Sequence, residues 1–448
     1  MTKHGDVYHT DKSQILTIFP SCEKVDAIDS YVVDLSVAVR STAAVLSEEK
    51  ISFREFAVQI LNNIASSARR LQVSEISIVK DFYDNFSIKN ATRAQRGTGV
   101  EFVFAADDPL PKDFINDLSN ARFKEKINDL FSDQDILSSW QWDQDFSITN
   151  GKEMLSRVNG CFSLEIIVFE PKALEEADNR LLIHIQHALN RGRKTCVIRT
   201  VDSDVVVICT SYLEQFLEYD HDFELYIDFG TGSNRRWYFI NDCYDTVGAS
   251  TALGLLFFHA FSGCDSTASF FKHNKGQIMK TWASFPIQDE LSDVFQQLSW
   301  QPTTATISRC LPLLEKFVCH FYGSSTASQL SQLRLDKFRA MTSNDLRELP
   351  PTSSSLKLHI LRSCYQAGWV WGNTFSQNDC PNLSDMGWLV SENSIEVKWT
   401  DVSEVSFNLL NNLLNCCKCR TVSCKGCSCK RNNLNCLHLC GCKAECYT

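Results

Sequence analysis

The sequence predicts an α/β protein with a mostly parallel central sheet flanked by helices, followed by a helical extension and a small C-terminal zinc-cluster module. Three observations carry that expectation. The stretch from Pro171 to Thr210 reads as a helix followed by a buried strand. Glu175, Glu176 and Asp178 open an apolar-periodic run (Leu181, Leu182, Ile185, Ala188, Leu189), and Cys196-Val197-Ile198 has the character of a strand crossing the middle of a parallel sheet. Two earlier runs, Ser30 to Asp34 and Ile76 to Val79, read as core strands that lead to an acid, Asp34 and Asp81, with a helix over roughly Ser52 to Leu71 between them. Finally, ten of the 20 cysteines fall between Cys416 and Cys446, a density that needs its own explanation.

Composition bounds the function. At 448 residues and 44% hydrophobic content, the chain can bury a substantial core over two or three domains. A net charge of −10 excludes a generally basic nucleic-acid coat, so any nucleic-acid contact must come from local patches. The amino-terminal MTKHGDVYHTDKSQ is polar with no apolar signal segment, and no window offers the roughly 18 apolar residues of a membrane span. An intracellular, nuclear protein without a membrane partner is expected. In such a reducing compartment the scattered cysteines read as buried thiols, and the clustered ones as metal ligands rather than disulfides.

Taken in order, the segment after Asp81 carries Lys89, Arg93 and Arg96 at i, i+4 and i+7, one helical face. Such a stripe is either a solvated face or a phosphate clamp, and its position directly after a strand-ending acid favours the clamp. Gly97 to Gly160 is acidic, matches no motif, and is expected to hold mixed short helices. After the central helix and strand come Asp202 and Asp204, at the C-terminal strand end where open α/β sheets bind ligands. Phe223 to Asn241 reads as a hairpin turning at Gly230, with Arg235 and Arg236 on a solvated face. Ala252 to Ser262 is a buried apolar segment closed by Gly263-Cys264-Asp265, where glycine permits a turn that aims an acid. His184, His187 and His259 read as packed histidines without metal-spaced partners. Ser308 to Gly372 looks helical, and the tryptophans at 369, 371, 388 and 399 read as core filling.

With these residues in view, the chain resembles the flap-endonuclease and PIN-like nuclease superfamily. That family carries a Glu-x-Glu pair opening a helix, an Asp-x-Asp pair after the next core strand and a later Gly-x-Asp. Glu176/Asp178, Asp202/Asp204 and Asp265 match these, and Asp34 and Asp81 match the family's earlier acids. The resemblance implies a core over residues 22–345, with 97–160 as a variable insertion and a helical extension over 346–410. It also implies two Mg²⁺ or Mn²⁺ ions held by Asp34, Asp81, Glu176, Asp178, Asp202, Asp204 and Asp265, hydrolysing phosphodiester bonds. Lys89, Arg93 and Arg96, with Lys272 and Lys275 in a reduced duplex-gripping turn, would contact nucleic acid, DNA in preference to RNA. The competing reading is a non-catalytic DNA-binding or adaptor protein on a nuclease-derived core.

The tail pattern over 416–446 is the most specific local signal. Cys417, Cys419, Cys424, Cys427, Cys429, Cys436, Cys440, Cys442 and Cys446 supply nine thiolates. Three tetrahedral zinc ions need four ligands each, so three of those sulfurs would bridge two metals, and paired Cys-x-Cys steps suit bridging. The pattern resembles one tesmin-type CXC repeat, a family that binds DNA, although the aromatic residue usual before the second Cys-x-Cys is missing. The pairing of such a core with such a tail resembles mobile-element-related eukaryotic proteins. The tail is also basic, with Lys418, Arg420, Lys425, Lys430, Arg431 and Lys443 against Glu445. Metal analysis of the purified chain is expected to find about three zinc ions, with a chelator unfolding the tail alone. Disulfides by mass spectrometry, or a zinc content near zero, would refute this.

Overall fold

The computed structural model describes residues 8–46, 50–81, 88, 102–118, 120–140, 142–150, 153–166, 177–341, 345–376, 378–391, 394–400 and 428–431. The chain divides into two compact units, Met1–Lys398 and Trp399–Thr448. In the second, a short helix over Ser428–Arg431 is described, with Cys429 buried.

The first unit is built on an eight-stranded sheet. A 3-10 helix, Lys12–Ile18, precedes strand β1 (Ser30–Asp34), which leads through helices α1 (Leu35–Leu46) and α2 (Phe53–Arg70) to β2 (Glu75–Val79). Helices α3 (Phe114–Asp117), α4 (Ala121–Leu130) and α5 (Gln134–Ser138) then lead to β3 (Asp145–Asn150) and the hairpin β4 (Glu153–Val158) and β5 (Cys161–Ile166). Helix α6 (Ala177–Asn190), β6 (Thr195–Thr200), α7 (Ser203–Tyr219), β7 (Glu224–Phe229) and β8 (Arg236–Phe239) complete the sheet. The spatial order is β5-β4-β3-β2-β1-β6-β7-β8. Strands β3, β2, β1, β6 and β7 run parallel, and the outer pairings are antiparallel. The predicted fold class, α/β with a mostly parallel central sheet flanked by helices, is therefore what the chain adopts.

Parallel strands buried on both faces read as continuous apolar runs, and every residue of β1 and β2 is buried. Side chains still alternate between faces. Val32, Val79 and Ile198 join a core with α6 and α7, whereas Tyr31, Val33, Ile78 and Val197 join a second core with α2, α4 and α5. Two residues beyond Val32 and Val79 along the chain stand Asp34 and Asp81, so the period of two places both acids toward the α6 side. Local signals agree with the elements. Ser52 caps α2 through a reciprocal pair, accepting from Glu55 N at 3.2 Å while its own N donates to Glu55 at 2.7 Å.

Chain order moves from β1 outward to β3, then returns to the other side of β1 with β6. The reversal falls between β1 and β6, and ligands of doubly wound sheets bind at such a point, beyond the carboxyl strand ends.

Two expectations change. The interval 97–160 holds short helices as expected, but also β3 and β4, which extend the sheet. Asn150-Gly151 and Asn159-Gly160 were the available turn signals, and Asn159 (φ 50°) and Gly160 (φ 80°) adopt the positive φ of a tight hairpin. Residues 346–398, within the helical extension expected over 346–410, pack into the first unit. Helix α8 (Ile240–Val247), α9 (Ala249–Phe261), α10 (Lys275–Ala283), α11 (Gln288–Ser299), α12 (Thr304–Phe321), α13 (Leu330–Ala340) and α14 (Ser353–Cys364) share one core cluster with α7. Trp371 is buried in it, and Tyr212 of α7 donates to the Trp371 carbonyl at 2.8 Å. No helix among the described residues is long and apolar enough to cross a membrane.

Trp371→Ala is expected to lower the unfolding free energy by about 3–5 kcal/mol, the cost of emptying an aromatic site in a core. Urea denaturation followed by circular dichroism measures this. An unmoved midpoint would show that the segment folds apart from the sheet.

Candidate metal centre

Six of the seven expected acids lie among the described residues; five of them stand at the C-terminal edge of the sheet or on helices starting there, and Asp265 lies in the loop after α9. Asp34 ends β1, Asp81 follows β2, and Asp202 follows β6 as the N-cap of α7. Asp204 lies in the first turn of α7 and Asp178 in the first turn of α6. Two helix N-termini thus point their unsatisfied N–H groups and partial positive charge at this edge. The contacts are specific: Asp202 Oδ1 accepts from Asp204 N at 2.9 Å, and Asp81 Oδ1 accepts from Ala177 N at 2.9 Å.

Asp178, Asp202 and Asp204 each bring a carboxylate oxygen within 4.8 Å of the others, the spacing of ligands around one metal ion. The donor set is oxygen only, which suits a hard cation such as Mg²⁺ or Mn²⁺ rather than zinc. Asp265 joins the same pair through a residue the sequence did not single out. Lys12 Nζ lies 2.9 Å from Asp202 Oδ1, 3.0 Å from Asp204 Oδ2 and 2.9 Å from Asp265 Oδ2. Burial works against the ammonium's charge, but the three carboxylates outweigh it and hold Lys12 firmly protonated.

Asp34 is buried, and desolvation, with Asp81 and Asp202 nearby, pushes its carboxyl up to about 7. Burial and the neighbouring Asp204 push Asp202 up to about 6, against the pull of Lys12. His259 Nε2 lies 2.9 Å from Asp204 Oδ1. Burial, then the charge of Lys275, pushes His259 down to about 4. The ring is thus neutral near pH 7, and its Nε2–H donates to the carboxylate. His259, expected as a packing residue, is buried, but it also orients a site carboxylate.

Placement of the remaining candidates is mixed. Lys275, expected at a nucleic-acid surface, is fully buried. Its Nζ donates to the His259 carbonyl at 2.6 Å and to Ser262 Oγ at 2.8 Å, so it cannot meet a phosphate. A lysine three positions after exposed Lys272 looked like a continuation of a basic turn. Asn274 instead starts α10 with a capping box, which turns Lys275 inward. Lys272 is exposed and pairs with Glu348 at 2.6 Å. Glu176, Lys89, Arg93 and Arg96 lie outside the described residues, as do Cys417, Cys419, Cys424, Cys427, Cys436, Cys440, Cys442 and Cys446. Of the tryptophans, Trp371 and Trp388 fill core, while Trp399 is exposed.

The one local sign pointing at Lys12 was Asp11, which caps the 3-10 helix by accepting from Ser13 N at 2.9 Å. That sign marks a helix start and says nothing of acids far along the chain.

No family model matches the sequence, and no curated protein compared with it matches either. Function is therefore read from the chemistry of this edge.

The raised carboxyls have a consequence for stability. A carboxyl with a folded pKa above its ordinary 3.8 binds its proton more tightly in the folded state. Its stabilising contribution is complete below about pH 4 and is lost as pH rises through the folded value. In metal-free protein, Asp34→Asn removes this loss and keeps the acceptor for Ser36 N. The variant is expected to gain stability relative to wild type progressively from pH 4 to pH 7, in paired urea titrations. A difference that does not change with pH would refute the placement of Asp34.

Proposed function

We propose that the protein is a metal-dependent nuclease of the flap-endonuclease and PIN-like type, hydrolysing phosphodiester bonds of DNA. What carries this reading is the triad of Asp178, Asp202 and Asp204, set at the switch point of a doubly wound sheet and ringed by Asp34, Asp81 and Asp265. Divalent cation binding would offset the self-repulsion of an acidic cluster of this kind.

Asp178, Asp202 and Asp204 would hold the ion, Mg²⁺ or Mn²⁺. The chemistry supplied there is polarisation of a phosphodiester and activation of water. The chain's own residues do the rest. His259 fixes the orientation of Asp204, and the N-terminus of α7 fixes Asp202. Asp34, buried beside Asp81 and Asp202, is the candidate to accept a proton at the edge. The cysteine-rich tail, loaded with about three zinc ions, would add basic contacts to the nucleic-acid backbone.

A second reading is favoured by one observation. Lys12 already neutralises part of the cluster, as a non-catalytic nucleic-acid-binding protein on the same core would need.

Cleavage assays on flap, hairpin, single-stranded and duplex substrates with Mg²⁺ or Mn²⁺ separate the two. Activity is expected in the wild type. The double variant Asp202→Asn with Asp204→Asn is expected to lose at least about 100-fold, more than the loss of an outer-shell partner costs. DNA affinity is expected to persist in that variant. Absence of cleavage on every substrate, with affinity indifferent to added metal, would leave the non-catalytic reading standing.

A further inference from the structure

We propose that the Lys12 ammonium takes the place of one of two divalent cations, so that this centre is built for a single divalent ion held by Asp178, Asp202 and Asp204. The inference rests on the metal-centre reading above and changes what that centre is. Two triads share the pair Asp202 and Asp204. One is completed by Asp178 and has the spacing for a metal ion. The other is completed by Asp265 and is filled by the ammonium, at 2.9 Å to 3.0 Å from a carboxylate oxygen of each member.

A carboxylate that bridges two ions must turn an oxygen toward each of them. Neither member of the shared pair is disposed to do so. Asp204 presents Oδ1 to His259 and Oδ2 to Lys12. Asp202 lies against Lys12 through both oxygens, at 2.9 Å and 3.2 Å, and its Oδ1 also accepts from Asp204 N. Asp202 Oδ1 is thus already engaged by an ammonium and a backbone N–H. A divalent ion on the Asp265 side would also meet a fixed positive charge in the same place.

Lys12 is delivered there by the fold. The segment carrying it docks on the 264–269 loop: Ser269 N donates to the Tyr8 carbonyl at 2.7 Å, His9 Nδ1 lies 3.0 Å from the Cys264 carbonyl, and Thr10 N donates to Ser269 Oγ at 3.0 Å. Gly263 (φ +111°) turns that loop, and a Cβ there would sit 2.1 Å from Ser269 Oγ. On the other side Ile15 and Leu16 are buried in the core. Anchored at both ends, the lysine is held over the acids rather than swinging in solvent.

The test is Mn²⁺ stoichiometry on the full-length, zinc-loaded chain, by calorimetric titration and by electron paramagnetic resonance of free Mn²⁺. As a hard ion, Mn²⁺ passes over the thiolates. Wild type is expected to bind one Mn²⁺, Lys12→Met two, and Lys12→Arg, which keeps the charge, one. Two ions in wild type, or one in Lys12→Met, would overturn the proposal. No ion in any of the three would overturn the metal-centre reading itself, a result distinct from both. If Lys12→Met fails to fold by circular dichroism, the counts for wild type and Lys12→Arg decide: one supports the proposal and two refute it.

Discussion

Repulsion among carboxylates at one edge of the sheet is the constraint on which the rest of this structure depends. Two unit charges 4 Å apart interact by about 4 kcal/mol at the effective dielectric of a protein surface. A handful of such pairs rivals the whole net stability of a domain, about 5–15 kcal/mol. The cluster of Asp34, Asp81, Asp178, Asp202, Asp204 and Asp265 therefore persists only with compensation at hand. The chain provides it in layers. Helices α6 and α7 aim their N-termini at the acids, His259 donates to Asp204, and Lys12 places an ammonium among three of the carboxylates. Burial first, and neighbouring carboxylates second, still push the carboxyls of Asp34 and Asp202 up.

Two internal lysines organise the region around α9. Lys12 acts on the acids directly. Lys275, fully buried, ties the end of α9 by donating to the His259 carbonyl and Ser262 Oγ. That end is where Gly263-Cys264-Asp265 leaves the helix, so Lys275 supports the turn presenting Asp265. Burial pulls Lys275 down to about 7, which a structural donor tolerates, since a neutral amine still donates. Two lysines near one site thus hold different roles, set by how many carboxylates each one faces.

This arrangement links function to the integrity of the whole unit. Lys12 and Asp265 are 253 positions apart, yet they are in contact. The site is complete only when the amino-terminal segment, the β1–β6 junction and the end of α9 are all docked. Removal of the first 20 or so residues would leave the sheet's own hydrogen bonds in place but strip the acids of their cation. A core boundary drawn at residue 22 omits this part of the site.

Much of the fold was legible in the sequence because parallel strands buried on both faces write themselves as short apolar runs. Ser30–Asp34, Ile76–Val79 and Cys196–Ile198 each did so, and the acids just beyond them marked the carboxyl edge. Strand β3 was missed because buried Ser147 and Thr149 interrupt its apolar run, and β4 because it is only half buried and lacks that continuous pattern, although two Asn-Gly dipeptides stand at their ends. The acids were legible as short motifs, since each pair is local. Lys12 and His259 were not, and neither was the inward turn of Lys275. A lysine's or histidine's role depends on which side chains face it, and those partners come from elements tens to hundreds of residues away. Sequence alone determined which groups carry charge and where strands end; the tertiary structure decided which charges meet, because that depends on how the sheet and helices bring distant segments into contact.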